Sequence, residues 1–162
     1  MGKKRKTPAP HADDGRRVVA RNRRARHFYH IEDTVEAGLA LVGTEVKSLR
    51  EGRVSLQDAY ATIENGEAYI INMHISEWPQ ATHFNHEPDR QRKLLLHAQQ
   101  IHRLGIQIHQ RGYTLVALSI YFNEKNRAKI ELGLARGKRK YDKRETIRER
   151  DEKREAERER RR

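Results

Sequence analysis

The 162-residue sequence contains no cysteine, which excludes disulfide bonds, thiolate nucleophiles and cysteine-ligated metal sites. No stretch approaches the ~18 consecutive apolar residues of a membrane-spanning helix, and no apolar segment of a secretion signal follows the lysine-rich start. Hydrophobic residues make up 35% of the chain, against roughly 45–50% in an average globular domain. These absences predict a cytoplasmic protein with one globular domain and some chain outside its core.

Positive charge is concentrated at the two ends of the sequence. Residues 1–30 carry 10 basic and 2 acidic side chains, and residues 136–162 carry 14 and 8, whereas the formal charge between them is −2. A near-neutral domain with two basic ends is typical of a nucleic-acid-binding protein whose arms follow the phosphates. We expect no membrane partner, because the C-terminal segment lacks the apolar face that a membrane-bound helix requires.

The residue pattern predicts a mainly β fold with two or three short helices. An Asn65-Gly66 dipeptide between two β-rich runs predicts a type I′ hairpin. Further elements are expected as one bent strand or two strands over 28–42, a short helix over 44–50, a long loop over 76–92, a helix over 94–108, and strands over 113–122 and 128–134. Five or six strands favour a closed antiparallel barrel of the OB-fold type, which leaves no exposed edge and commonly binds nucleic acid.

The charge and turn patterns divide the chain into three parts. Residues 1–17 are expected to be a disordered basic arm, residues 18–137 a nucleic-acid-binding barrel, and residues 138–162 a basic tail. The tail is rich in helix formers but has no apolar stripe. It is therefore expected to fray in water and to become helical when phosphates balance its cations.

Two basic segments and one carboxylate are candidates for nucleic-acid contacts. Arginine forks in the segment 21–27 can hold phosphates bidentately, and the segment 90–93 predicts a second basic edge. Glu36 stands beside a glycine bend, where it could accept hydrogen bonds from a base edge or a ribose 2′-hydroxyl. The alternative for Glu36 is an exposed strand carboxylate with no ligand.

Nine histidines raise the question of metal binding or catalysis. The spacing of His74, His83 and His86 matches no zinc pattern, and the carboxylates are dispersed along the chain. We therefore expect no metal site, no cofactor and no catalytic residue. One enzymatic alternative stays open, in which His27 with His74 or His86 acts as acid and base in RNA cleavage.

Several segments together resemble one family, small protein B, the SsrA-binding proteins of bacteria. The resemblance spans roughly residues 18–150, and its motifs are Glu36-Ala37-Gly38-Leu39, Gly43-Thr44-Glu45-Val46-Lys47-Ser48-Leu49-Arg50, Arg92-Lys93-Leu94-Leu95-Leu96, Gly112-Tyr113-Thr114-Leu115-Val116, and Gly137-Lys138 followed by Tyr141-Asp142-Lys143-Arg144.

This resemblance implies a non-enzymatic adaptor with an OB-fold barrel. Such a protein binds the tRNA-like domain of transfer-messenger RNA and brings it to stalled ribosomes for trans-translation, which rescues the ribosome and tags the peptide. It needs no cofactor and is expected to act as a monomer bound one-to-one to the RNA. Two alternatives stay open, an RNA-cleaving enzyme and a general RNA binder similar to a ribosomal protein.

The resemblance also implies two groups of site residues. The RNA-binding group comprises Arg24, Arg26, His27, Glu36, Lys93, Leu95 and Lys129. The tail group, directed towards the decoding centre of the small ribosomal subunit, comprises Lys138, Tyr141, Asp142, Lys143 and Arg144. The rest of the tail is expected to continue as a helix in the message channel.

Overall fold

The computed structural model describes residues 15–160, which form nine strands and four helices. In chain order these are β1 Arg17–Arg21, α1 Ala25–Phe28, β2 Tyr29–Leu39, α2 Gly43–Arg50, β3 Val54–Ser55, β4 Tyr60–Glu64, β5 Glu67–Ile71, β6 His74–Ile75, β7 Arg92–Leu95, α3 Ala98–Arg111, β8 Thr114–Phe122, β9 Ala128–Gly137 and α4 Lys140–Arg160.

Six strands close into a barrel in the order β8-β4-β5-β7-β2-β9, and β9 pairs again with β8. Every pairing in the ring is antiparallel. The first strand, β1, adds to the outside edge of β8, and β3 with β6 forms a separate two-stranded ribbon. The predicted fold class, a mainly β antiparallel barrel, is confirmed.

The strongest local prediction, the β4–β5 hairpin, is confirmed in detail. Asn65 has φ 50° and Gly66 has φ 74°, the two positive angles that a type I′ turn requires. The predicted short helix is α2, and Gly52 just beyond its end also has a positive φ of 74°. Asparagine and glycine tolerate this conformation, so both chain reversals are encoded locally.

Aliphatic side chains fill the barrel. Ile70, Leu115, Ile120, Ile130 and Leu132 have no solvent exposure, and Leu104 of α3 packs against the same cluster. Outward positions alternate with buried ones along β4, β5 and β7, as the strand period of two requires. The outer surface therefore carries the polar side chains that a partner would meet.

A second, smaller apolar cluster lies under α1. Ala25 contributes the buried contact of this short helix, and it belongs to one cluster with Val116, Leu118 and Ala135 of β8 and β9. Strand β8 is thus buried on both faces, which explains its continuous apolar sequence. Because Ala25 faces the sheet, its neighbours Arg24 and Arg26 are exposed to solvent.

The predicted start of the second helix, at residue 94, was wrong. Helix α3 begins at Ala98, and Arg92–Leu95 is strand β7, with alternating buried and exposed side chains. Leu94 pairs with Ala68 of β5 and with Leu39 of β2. The pairing partners on both sides override the helical spacing of the leucines.

The sequence pattern did not reveal β1 and α1, and the strand count of five or six was too low. Strand β1 begins at Arg17, which lies within the segment expected to be disordered, and Arg17 pairs with Phe122. Residues 1–14, which make up most of that expected arm, lie outside the described residues. The pairing of β1 with β8 is a long-range contact that the local sequence does not predict.

The tail forms one helix, α4, of 21 residues. We expected helix only against phosphates, whereas the helix is present in the structure of the chain alone. Within residues 15–160, none of the helices is long and apolar enough to span a membrane.

Candidate RNA interface

Three of the predicted RNA-binding residues lie on neighbouring strands of one outward-facing patch of the barrel. Lys129 of β9 and Leu95 of β7 are both cross-strand partners of Gly38 in β2. Glu36 stands two residues before Gly38, so it projects from the same face. A Cβ atom at Gly38 would lie 3.1 Å from the Leu95 Cβ, which shows how closely Leu95 covers the glycine. Leu95 remains 55% exposed.

Glu36 is held in place by an aromatic hydroxyl group and an arginine. The Tyr121 hydroxyl donates a hydrogen bond to the Glu36 Oε2 atom, and Arg16 Nη2 lies 4.0 Å from the same oxygen. The Arg16 guanidinium also stacks 5.1 Å from the centre of the Tyr121 ring. Burial and the bond to Glu36 raise the pKa of Tyr121 far above its usual value, so the phenol remains a donor. Glu36 itself is 44% exposed and accessible to a ligand.

Lys93 lies two residues before Leu95 on β7 and forms a salt bridge with Glu67. Its Nζ atom is 2.8 Å from Glu67 Oε1, and the Tyr69 hydroxyl donates to the other carboxylate oxygen. The hydrogen bond to Glu67 raises the pKa of Lys93, so the ammonium group stays charged. We call Glu36, Lys93, Leu95 and Lys129 the barrel cluster.

Arg24, Arg26 and His27 do not join the barrel cluster. They lie at α1, which directly precedes the first residue of β2, whereas Glu36 follows seven residues along that strand. At ~3.3 Å per strand residue the separation along β2 is about 23 Å. The assignment of these three residues to the RNA-binding group stays a prediction.

The first turn of the tail lies beside α1 instead. The Lys138 backbone N–H donates to the Phe28 carbonyl at 2.8 Å, and the Lys143 ammonium group lies 4.9 Å from the centre of the Phe28 ring. Lys138 Nζ also donates to Thr146 Oγ1 at 2.9 Å, which ties the start of α4 to the barrel end.

An open cleft of about 680 Å³ lies at this junction, and Arg24, Lys138 and Lys143 contribute its cationic groups. We call Arg24, Arg26, His27, Lys138 and Lys143 the junction cluster. Arg144 is exposed on α4. The side chains of Tyr141 and Asp142 lie outside the described part of the structure.

The expected basic edge over residues 90–93 was wrong for Arg92. Its side chain is completely buried, and its Nε atom donates to Glu45 Oε1 at 2.6 Å. Arg90 donates to both oxygens of the same carboxylate at 2.7 Å. The signal missed in the sequence was Glu45, an acid on α2 that the tertiary fold places between the two arginines.

The histidines near the long loop have structural partners. Both ring nitrogens of His86 are occupied, one with Thr44 Oγ1 and one with the Ile75 carbonyl, each at 2.9 Å. His74 Nδ1 lies 2.8 Å from Asp89 Oδ1. Over residues 15–160 no three histidine, aspartate or glutamate side chains converge as metal ligands would.

A closed antiparallel barrel with a polar outer patch, a cationic junction and a basic helical tail defines a nucleic-acid-binding barrel protein. Comparison with known families makes the assignment specific. The chain belongs to the SmpB family, whose model, described as SmpB protein, matches residues 19–162. The predicted resemblance is confirmed.

Curated relatives cover most of the chain at high identity. An SsrA-binding protein of Symbiobacterium thermophilum is 58% identical over 137 residues, which are 85% of this chain and 87% of the relative. An SsrA-binding protein of Leifsonia xyli subsp. xyli is 58% identical over 144 residues, covering 89% and 90%. A similar solved structure, described as "tmRNA-SmpB: a journey to the center of the bacterial ribosome", has a TM-score of 0.64 at 50% identity and covers 80% of this chain and 94% of its own.

Proposed function

We propose that this chain binds the tRNA-like domain of transfer-messenger RNA and delivers that RNA to stalled ribosomes for trans-translation. The observation that carries the proposal is the 50% identical solved relative, which is described as SmpB with tmRNA in the bacterial ribosome. Membership of the SmpB family over residues 19–162 supports the same role.

The barrel cluster is the proposed contact surface for the tRNA-like domain. It combines an accessible carboxylate, an exposed leucine and two lysines on adjacent strands. A carboxylate accepts hydrogen bonds from base edges or 2′-hydroxyls, lysines bind phosphates, and an apolar side chain packs on a base or ribose. Such a mixed surface suits folded RNA better than a purely cationic one.

Arg24, Arg26 and His27 remain proposed contacts of transfer-messenger RNA, whereas Lys138, Lys143 and α4 are the proposed ribosome contacts. They lie about 23 Å along β2 from Glu36, so one small protein can touch two RNA molecules at once. The tie between Lys138, Lys143 and Phe28 would orient the tail relative to the barrel. The tail group Lys138, Tyr141, Asp142, Lys143 and Arg144 is proposed to face the decoding centre, with the rest of α4 in the message channel.

We propose an adaptor and not an enzyme, acting as a monomer in the cytoplasm. RNA cleavage by a histidine pair needs ring nitrogens that can exchange protons with the substrate. Both nitrogens of His86 are occupied within the fold, which leaves His27 and His74 as the residues of the rival mechanism.

A binding and integrity experiment tests the proposal. Purified protein is titrated into labelled transfer-messenger RNA, first with excess chelator and then with added divalent metal. We expect a mobility shift with intact RNA in both conditions. Ordinary tRNA should compete only at concentrations more than about tenfold higher.

Two outcomes would contradict the proposal. Defined cleavage products that disappear in a His27→Ala variant would establish the enzymatic rival. Competition by ordinary tRNA at equal concentration would indicate a general RNA binder.

A further inference from the structure

A second surface adjoins the barrel cluster, between the segment before β1 and the turn that joins β8 to β9. It is an open groove of about 440 Å³. Its charged lining residues are Arg16, Glu36, Glu124, Lys125, Arg127 and Lys129. The resemblance to known relatives assigned a role to only two of these, Glu36 and Lys129.

The turn that forms one wall is fixed by its own hydrogen bonds. The Asn126 N–H donates to the Asn123 carbonyl at 2.9 Å, and the Arg127 N–H donates to the Asn123 side chain at 2.9 Å. Asn126 has φ 60°, which closes a three-residue hairpin loop with Lys125 within it. The hydrogen bonds of the turn therefore fix the position of the Lys125 backbone.

Arg127 and Lys129 point the same way. Asn123 pairs with Arg127 through a 3.0 Å backbone hydrogen bond, and Tyr121 pairs with Lys129, so both cations continue the outward face of β9. Two residues along a strand span about 7 Å. This is close to the separation of neighbouring phosphates on one nucleic-acid strand.

The charge of these three cations is not compensated within the fold. The side chains of Lys125, Arg127 and Lys129 form no salt bridge with any residue that the structure describes. Among the charged lining residues the four cations Arg16, Lys125, Arg127 and Lys129 outnumber the two acids Glu36 and Glu124, and Glu36 lies 4.0 Å from Arg16. The groove therefore has an excess of positive charge, which favours an anionic ligand.

We propose that this groove binds consecutive phosphates of an RNA strand, with Arg127 and Lys129 on neighbouring phosphates and Lys125 extending the track. This inference rests on the proposed function, because the RNA strand would leave the barrel cluster past Lys129 and continue along the β8–β9 hairpin. Arginine suits the central position, since its planar fork grips a phosphate bidentately. Lys125 and Arg127 thereby add a phosphate track to the barrel cluster.

The test is the salt dependence of binding to transfer-messenger RNA. The hairpin variant Lys125→Gln/Arg127→Gln is compared with wild type and with a control, Lys47→Gln/Arg111→Gln. The control removes the same two charges from exposed positions on α2 and α3, outside the groove. Each lost phosphate contact flattens the slope of log Kobs against log salt by about 0.7 to 0.9. We expect the hairpin variant to be flatter by between about one and two units, and the control to match wild type.

A charge-preserving variant separates phosphate binding from a folding defect. Arg127→Lys should keep a slope within about half a unit of wild type, whereas Arg127→Gln should lose about 0.7 to 0.9. A hairpin variant with the wild-type slope would overturn the groove alone. Failure of the wild-type protein to bind transfer-messenger RNA would overturn the proposed function and, with it, the groove.

Discussion

Glu45 and Arg92 form an ion pair that is completely closed to solvent, with 2.6 Å between Arg92 Nε and Glu45 Oε1. Arg92 also donates to the Met73 and Pro88 carbonyls at 2.6 and 2.9 Å. The pair therefore joins α2, β7 and the end of the long loop. It holds the start of β7, from which Lys93 and Leu95 of the barrel cluster project.

Removing the arginine should destabilise the fold strongly. Arg92→Met leaves Glu45 buried with Arg90 as its remaining guanidinium partner, and breaking a buried pair costs about 3–5 kcal/mol. The free energy of unfolding from urea titration measures this loss. The control is Arg103→Met, which breaks a pair with Asp33 whose side chains are 69% and 57% exposed and should cost less than about 1 kcal/mol. Equal losses in the two variants would refute the special role of the buried pair.

The same carboxylate predicts an acid dependence of stability. Burial opposes ionisation, but hydrogen bonds from Arg90, the Val42 N–H and Arg92 outweigh it and lower the pKa of Glu45 below 4.5. A lowered folded-state pKa gives stability that is fully present above the unfolded pKa and lost as pH falls through the folded pKa.

The stability advantage of wild type over Glu45→Gln should therefore shrink as pH drops below 4.5. Urea titrations from about pH 6 to about pH 3 test this. A difference that stays constant over that range would contradict the ionised pair.

Gly133 is predicted to tolerate no side chain. A Cβ atom there would lie 3.0 Å from Leu118 Cδ1 and 3.1 Å from Ile31 Cγ2, under α1. Gly133→Ala should therefore destabilise by about 1–3 kcal/mol through overpacking. The matched control is Gly43→Ala at the start of α2, where no atom lies within 4 Å of the added Cβ, and which should be neutral or slightly stabilising. Thermal melting of both variants measures the contrast.

The two lysines of the barrel cluster should differ in their electrostatic contribution. Lys129 has no salt-bridge partner among the described residues, so Lys129→Ala should flatten the salt dependence of binding by about 0.7 to 0.9 unit. Lys93 is neutralised in part by Glu67 at 2.8 Å, and Lys93→Ala should flatten it by less. The double variant Lys93→Ala/Glu67→Gln checks this reading, because it removes both charges and should lie close to wild type. A larger effect for Lys93 than for Lys129 would be inconsistent with the geometry.

The first turn of the tail should separate RNA binding from ribosomal action. A triple alanine variant at Asp142, Lys143 and Arg144 should bind transfer-messenger RNA within about tenfold of wild type, because the barrel cluster is intact. It should nevertheless fail in peptide tagging, since Lys143 orients the tail against Phe28.

The control for this variant is a triple alanine substitution at Asp151, Lys153 and Arg154. These residues are exposed farther along α4 and give the same change in charge. It should retain more tagging activity, measured as tagged product from stalled ribosomes. Normal tagging by the first variant would remove the proposed role of the tail start.

The sequence by itself determined the features that depend on local chemistry or on family motifs. The Asn65-Gly66 turn follows from the tolerance of these two residues for positive φ, which no distant contact alters. The closed β-barrel follows from several short strands in a small domain, because closure removes exposed edges. The family was recognisable because its motifs recur in order along most of the chain.

Only the tertiary structure decided which distant residues meet. The sequence pattern places Leu94 and Leu95 at the start of a predicted helix. Pairing with β2 and β5 makes this segment a strand instead. The sequence predicts Arg92 to be a surface cation. In the structure, α2 places Glu45 against Arg92 in the interior. Long-range pairing decides each case, because burial and salt bridges depend on partners that local sequence does not specify.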